Sequence, residues 1–391
     1  MSGDVGDRLI FEAEWFDTVA GFTKRFYLYY YPADNALELF DIRNRKTFLR
    51  RTKCEGIGLK DLYVGTVVTI FSRPMKITDV ADSFTKSKLG VTIQKTFGIL
   101  KPDVISKMGE ILKIITAHDL HIANIKMVKL SEFDVERLYK NDDNFGSIKS
   151  YLTSDPVVLL TLLGNNAVAR WRELIAPTNT VKARGEASNS LRALYGKDAI
   201  CNGFHGSSSP EVAEKELEMF FTNVKSEKSP LKNTATMHHC TCCIIKPHAV
   251  QGRLTGDIVC DIQKAGFTIS AIQRFHVDPI NADEFLEIYK GVLSDHGAMV
   301  AELQSGPCIA MEITHKDENV NVPLEFRKLC GPMDPDIGRQ VRPNTLRAKY
   351  GKSKVQNAVH CSDLPDDGLL EVEYFFKILD DGSSSNYVTT K

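Results

Sequence analysis

The sequence predicts an α+β chain: two ferredoxin-like α/β sandwich domains that are copies of one another, preceded by a small mostly-β barrel domain. A long-period repeat is the first observation behind this. Asn202-Gly203-Phe204-His205 and Asn357-Ala358-Val359-His360 each follow an Arg that stands 13 residues before the His (Arg192, Arg347), and each precedes a Glu 11 residues after it (Glu216, Glu371). The period, about 155 residues, far exceeds the roughly 20 to 50 residues of solenoid units, so a whole domain has been duplicated. Within each copy, strand and amphipathic-helix patterns alternate in β-α-β-β-α-β order, as in a ferredoxin-like sandwich. Residues 8–90, by contrast, read as short aromatic-rich strands.

In chain order, Phe26 to Tyr31 forms an aromatic strand that stops at Pro32-Ala33-Asp34-Asn35, and Ala36 to Phe40 alternates as its hairpin return. Tyr63 to Ile70 reads as a further strand, and 85–90 as a short connector. The basic segment from Arg43 to Lys53 has two readings, a solvated strand face or a surface for an acidic partner. The first copy then gives helix over Glu110–Ala117, strand over Ile122–Val128, helix over Phe133–Lys140 and strand over Val157–Leu163. In the second, Gly256–Lys264 is helical, Gly266 stops it, Phe267–Ile272 alternates as a strand, Asp283–Val292 is helical and Cys308–Ile313 is a strand. The domain limits are therefore 1–91 for the β domain, 92–224 and 238–380 for the copies, 225–237 for a polar linker and 381–391 for a disordered tail.

Composition narrows the class. Lys+Arg 49 against Asp+Glu 50 leaves a formal charge of −1, so no global field draws the chain to nucleic acid or a membrane. The longest apolar run, Val157 to Leu163, is too short to span a bilayer, and Met1 to Asp7 has no basic-then-apolar leader. Nine cysteines without framework spacing argue against an oxidised secreted scaffold. His238-His239-Cys240-Thr241-Cys242-Cys243 can be read as zinc ligands, but it runs straight into an apolar strand, where reduced cysteines act as small hydrophobes.

The repeated residues form a chemical set. A histidine accepts a phosphoryl group when its ring is held in one tautomer and the incoming charge is neutralised. Glu216 and Glu371 lie beyond Pro210 and Pro365, which suit a helix start, so a carboxylate can reach back to the imidazole. Arg172 and Arg192, like Arg327 and Arg347, supply guanidinium forks, and Lys101 and Lys246 leave the ends of apolar strands. A single histidine of this kind usually reads as a satisfied core residue. Five residue types in the same order twice over point instead to a site for an anionic phosphate ester.

Both copies resemble the nucleoside diphosphate kinase family, through Ile99-Leu100-Lys101-Pro102-Asp103 and Ile244-Ile245-Lys246-Pro247-His248, the two Asn-x-x-His motifs, and His205-Gly206-Ser207 followed by Glu216. Residues 8–90 resemble the ciliary module called the DM-ten domain. The resemblance implies ping-pong transfer: a nucleoside triphosphate, with its Mg2+, phosphorylates the histidine, and a diphosphate collects the phosphate. It makes His205 the nucleophile and Glu216 its orienting carboxylate. Lys101 and Asn202 would contact the phosphates and the sugar 3′-hydroxyl, with Tyr139 supporting the Lys. Arg172, Thr178 and Arg192 would hold phosphates, and Phe145 would stack on the base. The second set is His360, Lys246, Asn357, Glu371, Tyr289, Arg327 and Arg347. No protein metal site is implied.

The ciliary module implies a cytoplasmic, cytoskeletal protein of the cilium or flagellum axoneme, with tubulin, doublet-microtubule proteins or microtubule-nucleating complexes as partners. Family members assemble from identical subunits, so two copies in one chain imply an internal pseudo-dimer. The second copy departs from the family pattern in Met333 for the phosphate-binding Thr, Cys361 for the Gly after the histidine, His248 for an Asp, and Asp295-His296 at the stacking Phe. The first copy departs in Ser208 for Asp and in a shortened segment after Lys101. These differences predict a working first site and a weakened second one.

Overall fold

The computed structural model describes residues 8–17, 21–54, 56–62, 66–89, 93–221 and 231–380. The chain forms two compact units, one built mainly on residues up to 93 and one on the residues from 94 onward.

In the first unit, β1 (Leu9–Asp17), β2 (Phe22–Tyr31), β3 (Ala36–Asp41), β4 (Lys46–Lys53), β5 (Val67–Ile70) and β6 (Arg73–Val80) form one antiparallel sheet. Its order is β4-β3-β2-β1-β6-β5. Alternate residues such as Phe11, Phe26, Leu28, Leu37, Leu39, Ile70 and Ile77 are buried together in one cluster, because side chains of period two share a face and the sheet curls around it. The hairpin pairs Tyr31 with Ala36 as the turn signal requires. β4 ends the sheet, and most of its basic side chains are exposed. The connector expected over 85–90 is corrected: Ser83–Lys88 is a short helix, and Asp82 accepts the Thr85 N–H at 2.5 Å as its N-cap.

The second unit contains both repeats in one eight-stranded sheet. The first repeat contributes β7 (Ile93–Leu100), β8 (His121–Val128), β9 (Val157–Asn165) and β10 (Phe204–Gly206). The second contributes β11 (Cys240–Ile245), β12 (Thr268–His276), β13 (Pro307–Thr314) and β14 (Val359–Cys361). The order β10-β7-β9-β8-β12-β13-β11-β14 reads alike from either end, so each repeat is a half-sheet and the join is β8 against β12.

Across that join, helices Met108–Ala117 and Thr255–Lys264 cross at two matched glycines. A Cβ on Gly109 would stand 2.2 Å from the Cys260 backbone N, and one on Gly256 would stand 2.5 Å from that of Lys113. Only glycine lets the two backbones approach so closely. Gln263 closes the contact, accepting from Gly109 N at 2.9 Å and donating to Ile105 O at 2.9 Å. The repeats therefore meet as an internal pair.

Two further expectations change. The later part of the polar linker is docked: Thr236 N and Met237 N donate to the fully buried Glu312 carboxylate at 2.8 and 2.6 Å, and Ser270 Oγ donates to it at 2.5 Å. A buried carboxylate needs such donors, and the chain supplies them from the segment entering β11. The helix expected over Asp283–Val292 starts earlier, at Pro279 after the Asp278 cap, and gives way to a 3₁₀ turn over Glu287–Tyr289. Residues 225–230 and the tail from 381 lie outside the described residues.

Candidate functional site

Each repeat brings its histidine to the strand beside the one that ends in Lys-Pro. β10 pairs with β7, setting His205 opposite Ile99, and β14 pairs with β11, setting His360 opposite Ile244. Pro210 opens the helix that carries Glu216, and Pro365 the helix that carries Glu371, so both carboxylates point back at the imidazoles.

In the first repeat, His205 Nε2 lies 3.0 Å from Glu216 Oε1, and Ser207 Oγ donates to Glu216 Oε2. An ionised carboxylate only accepts, so Nε2 carries the proton and Nδ1 keeps its lone pair. Tyr139 donates its hydroxyl to that Nδ1 at 2.9 Å. Burial raises the Tyr139 pKa, which keeps the hydroxyl a donor. Tyr139 thus touches both groups: its hydroxyl addresses the histidine, and its ring lies under the Lys101 ammonium, 5.8 Å from Nζ to the centroid. The Lys101 ammonium donates to Asn202 Oδ1 at 2.8 Å. Burial and the nearby Arg192 charge lower its pKa to about 8.

Arg192 spans the floor, with its terminal nitrogens bonded to Ala176 O and to Phe204 O, the latter at 2.8 Å. Burial lowers its pKa to about 10, so it stays a cation at neutral pH. Arg172 donates to Ser208 O at 3.0 Å. Arg172, Thr178 and Arg192 line one open cleft of about 680 Å³ beside the histidine strand. Phe145 is not among its lining residues; it opens helix Phe145–Leu152 and packs against the core cluster of this repeat.

The second repeat keeps the skeleton. His360 Nε2 lies 2.8 Å from Glu371 Oε2, and Ser362 Oγ donates to the same oxygen at 2.7 Å. Its other groups have different partners. Tyr289 donates to Asp363 Oδ2 at 2.5 Å rather than to the histidine, and burial and that carboxylate raise its pKa. Asp363 also accepts from Arg327, through its backbone O at 2.9 Å and its carboxylate at 3.3 Å. Lys246 Nζ donates to Val355 O at 2.9 Å, and Asn357 Oδ1 is buried without a hydrogen-bond partner. Burial and Arg347 lower the Lys246 pKa to about 7. Asn202 and Asn357 nonetheless make the same backbone contact, to Thr178 O at 3.4 Å and to Met333 O at 3.0 Å. Asp295 pairs with Lys354 at 3.2 Å, and His296 lies 3.8 Å from Asp283.

One departure has a packing explanation. In the first repeat Gly206 pairs with Gly98 across the sheet, and a Cβ on either would meet the Trp171 indole, at 2.7 and 3.1 Å. The indole Nε1 donates to His205 O at 3.0 Å. At the corresponding places the second repeat has Cys361 paired with Cys243, over the smaller Phe326. All three belong to one buried cluster, and a phenyl ring takes less room than the indole that requires glycines in the first repeat, which accounts for a side chain at Cys361. Arg347 donates to its sulfur at 3.6 Å. A hydrogen bond from Cys330 and the Arg347 charge draw the Cys361 thiol below its ordinary pKa. Cys242 and Cys243 are fully buried in β11, as core cysteines are.

Sequence reasoning quoted Ser207 only as part of the motif around His205, without a role, and passed over Ser362, Asp363 and Trp171. The two serines were detectable, since each stands two residues after its histidine in the shared frame. Trp171 had no such signal, because its contact depends on the cross-strand glycine pair.

An imidazole fixed by a carboxylate and surrounded by buried cations and a guanidinium-lined cleft is the arrangement of a nucleoside diphosphate kinase fold, found here twice. The nucleoside diphosphate kinase family model matches residues 94–226 and 239–380, and the chain belongs to that family. A DM10 domain model matches residues 4–85. The chain is similar to nucleoside diphosphate kinase homolog 7 of Rattus norvegicus, 45% identical over 96% of this chain and 94% of the relative. The Mus musculus homolog 7 is 43% identical over the same shares. Among solved structures, an Aquifex aeolicus nucleoside diphosphate kinase is 32% identical, covering 34% of this chain and 97% of that one, with a TM-score of 0.33. Among the described residues, no helix is long and apolar enough to cross a membrane.

Proposed function

We propose that the chain transfers the γ-phosphoryl group of a nucleoside triphosphate to a nucleoside diphosphate through a phosphohistidine, chiefly at His205. Magnesium arrives with the nucleotide as part of the substrate. The observation that carries this reading is the state of the His205 ring: Nε2–H is bound to Glu216, and the Nδ1 lone pair faces the Tyr139 hydroxyl. Nδ1 attacks the γ-phosphorus, the bond to the bridging oxygen breaks, and the diphosphate leaves. A second diphosphate reverses the step. Lys101, Arg172 and Arg192 offset the phosphate charge, and Tyr139 can turn from the ring nitrogen to a phosphoryl oxygen.

Labelling with γ-phosphate-labelled ATP tests it. The expected product is acid-labile, alkali-stable phosphate on the protein, largely lost in His205→Ala and absent in His205→Ala/His360→Ala. Undiminished label in the double variant would refute the proposal.

A second reading concerns residence. The resemblance of residues 8–90 to a ciliary module and the exposed basic strand β4 support an axonemal protein that binds microtubules through its N-terminal unit. On that reading the second repeat serves as a binding module as much as a catalyst. Full-length protein carrying Lys46→Glu and Arg50→Glu should bind doublet microtubules more weakly and less salt-sensitively than the parent, because fewer attractive charge pairs remain to be screened. Equal binding would remove β4 from that role.

A further inference from the structure

The strap that ends in the second histidine contains a strained residue. Ala358 has φ +70°, and Val359 N donates across it to Asn357 O at 2.9 Å, which makes a γ-turn of the rare positive-φ kind. The corresponding residue of the first strap is Gly203, at φ +77°, where glycine meets no such penalty. The rest of the strap is alike: Lys246 N donates to Ala358 O at 2.9 Å, and Lys101 N to Gly203 O at 2.8 Å. An alanine in this conformation persists only if its surroundings hold it there.

A buried histidine is in place to do so. Ala358 N donates to His248 Nε2 at 3.2 Å. A backbone N–H can only donate, so Nε2 is the unprotonated nitrogen and Nδ1 carries the hydrogen, donated to Glu302 Oε1 at 2.6 Å. The same Glu302 oxygen accepts from His248 N at 3.1 Å, and Gln356 holds the other carboxylate oxygen at 3.1 Å. His248 and Glu302 are both almost fully buried.

The first repeat has a different pair at these places. Asp103, two residues after Lys101 as His248 is after Lys246, is bonded to Tyr151, which stands five residues before Pro156 as Glu302 stands before Pro307. There the acid is on the Lys-Pro turn and the second partner on the helix; in the second repeat the acid is on the helix. Asp103 Oδ2 is buried without a partner, so that pair does not reach the strap.

We propose that His248 is a positioning residue of the second site: as a neutral imidazole in its Nδ1–H tautomer, oriented by Glu302, it pins the strained Ala358 turn and thereby places Asn357 and His360. The exchange of Gly for Ala in the strap and of Asp–Tyr for His–Glu behind it are two halves of one change. Protonating Nε2 would set two donors against each other and release the turn. The charged and titratable groups around the ring are Glu302 from the helix, Lys246 at the end of β11 and, beyond Lys246, Arg347 and Cys361. The second strap is therefore loosened by acid, and the first, which has no imidazole behind it, is not.

The test has two arms, both on the full chain. In the first, hydrogen exchange is followed over 357–361. His248→Ala should lower protection there by about fivefold, the value of one net hydrogen bond. The parent should lose strap protection on acidification, after correction for intrinsic exchange, while His248→Gln, which keeps an acceptor that does not titrate, should not. Protection unchanged in His248→Ala, or equal acid loss in parent and His248→Gln, overturns the proposal.

The second arm rests on the phosphohistidine reading and follows label on His360 in a His205→Ala background. His248→Ala should lower it, and adding Ala358→Gly should restore it, because glycine adopts the turn without the clamp. Failure of Ala358→Gly to restore label, in a double variant whose sheet exchanges as in the parent, also overturns the proposal. If His360 takes no label in the background itself, the kinase reading of the second site fails, and the exchange arm alone decides the clamp.

Discussion

The two histidine sites share a skeleton and differ in what surrounds it. Histidine, carboxylate and serine superpose in role in both repeats, and both asparagines reach the backbone of the residue at 178 or 333. Around that frame the first repeat packs two glycines under a tryptophan, and the second packs two cysteines over a phenylalanine. The first directs its tyrosine hydroxyl at the imidazole, the second at Asp363. Core positions diverged in compensated sets, because a close-packed interior cannot absorb one change alone. On the polar face the tyrosine and the lysine found other partners within reach, Asp363 and Val355 O, whereas Asn357 Oδ1 was left without one.

The largest effect that separates the sites should come from the carboxylates. Glu216→Ala removes a charge-assisted bond and leaves His205 and Ser207 without their shared acceptor, a loss of about 1.5–3 kcal/mol, or roughly 10- to 160-fold in the rate of His205 labelling. Glu371→Ala should cut His360 labelling by a similar factor from a lower starting rate. Single-turnover labelling of each variant measures both, and no loss in Glu216→Ala would end the orienting role.

Packing gives the next effect. Gly206→Cys, which copies the second repeat into the first, forces a side chain into the Trp171 indole and should cost about 1–3 kcal/mol of stability. Trp171→Phe added to it should recover part of the loss. Denaturant unfolding reads the cycle, and a strictly additive result would mean that the exchange is not coupled.

Acidity gives the smallest. Each lysine holds its phosphate-binding charge below its own pKa and loses it as pH rises through that value. Nucleotide affinity should therefore weaken above about pH 8 where Lys101 is responsible, and already above about pH 7 at Lys246. Affinity measured between pH 6 and 9 on Lys246→Met and Lys101→Met proteins, each of which keeps one titrating lysine, separates the profiles; coincident profiles would remove the difference in burial as its cause.

The fold was legible where one residue type answers to one local rule. Period-two burial marked the strands of the first unit, and Pro210 and Pro365 marked the helices that aim the carboxylates. The 83–88 helix was missed because its signal is a single cap, Asp82, ahead of a short polar run. Thr236 and Met237 read as linker because the acceptor of their N–H groups, Glu312, lies in a strand about 75 residues away.

By itself the sequence determined that a domain had been duplicated, which residues recur in each copy, and therefore the chemistry that each half can offer. A repeat at fixed offsets is a one-dimensional fact and needs no contacts to be read. Only the tertiary structure decided which of those residues face one another: Tyr139 with His205 but Tyr289 with Asp363, Lys101 with Asn202 but Lys246 with Val355, and an imidazole behind one strap where the other has none. Hydrogen bonds select partners within about 3 Å, and a side chain has several candidates in that range. The choice among them depends on packing supplied by residues far away in the chain.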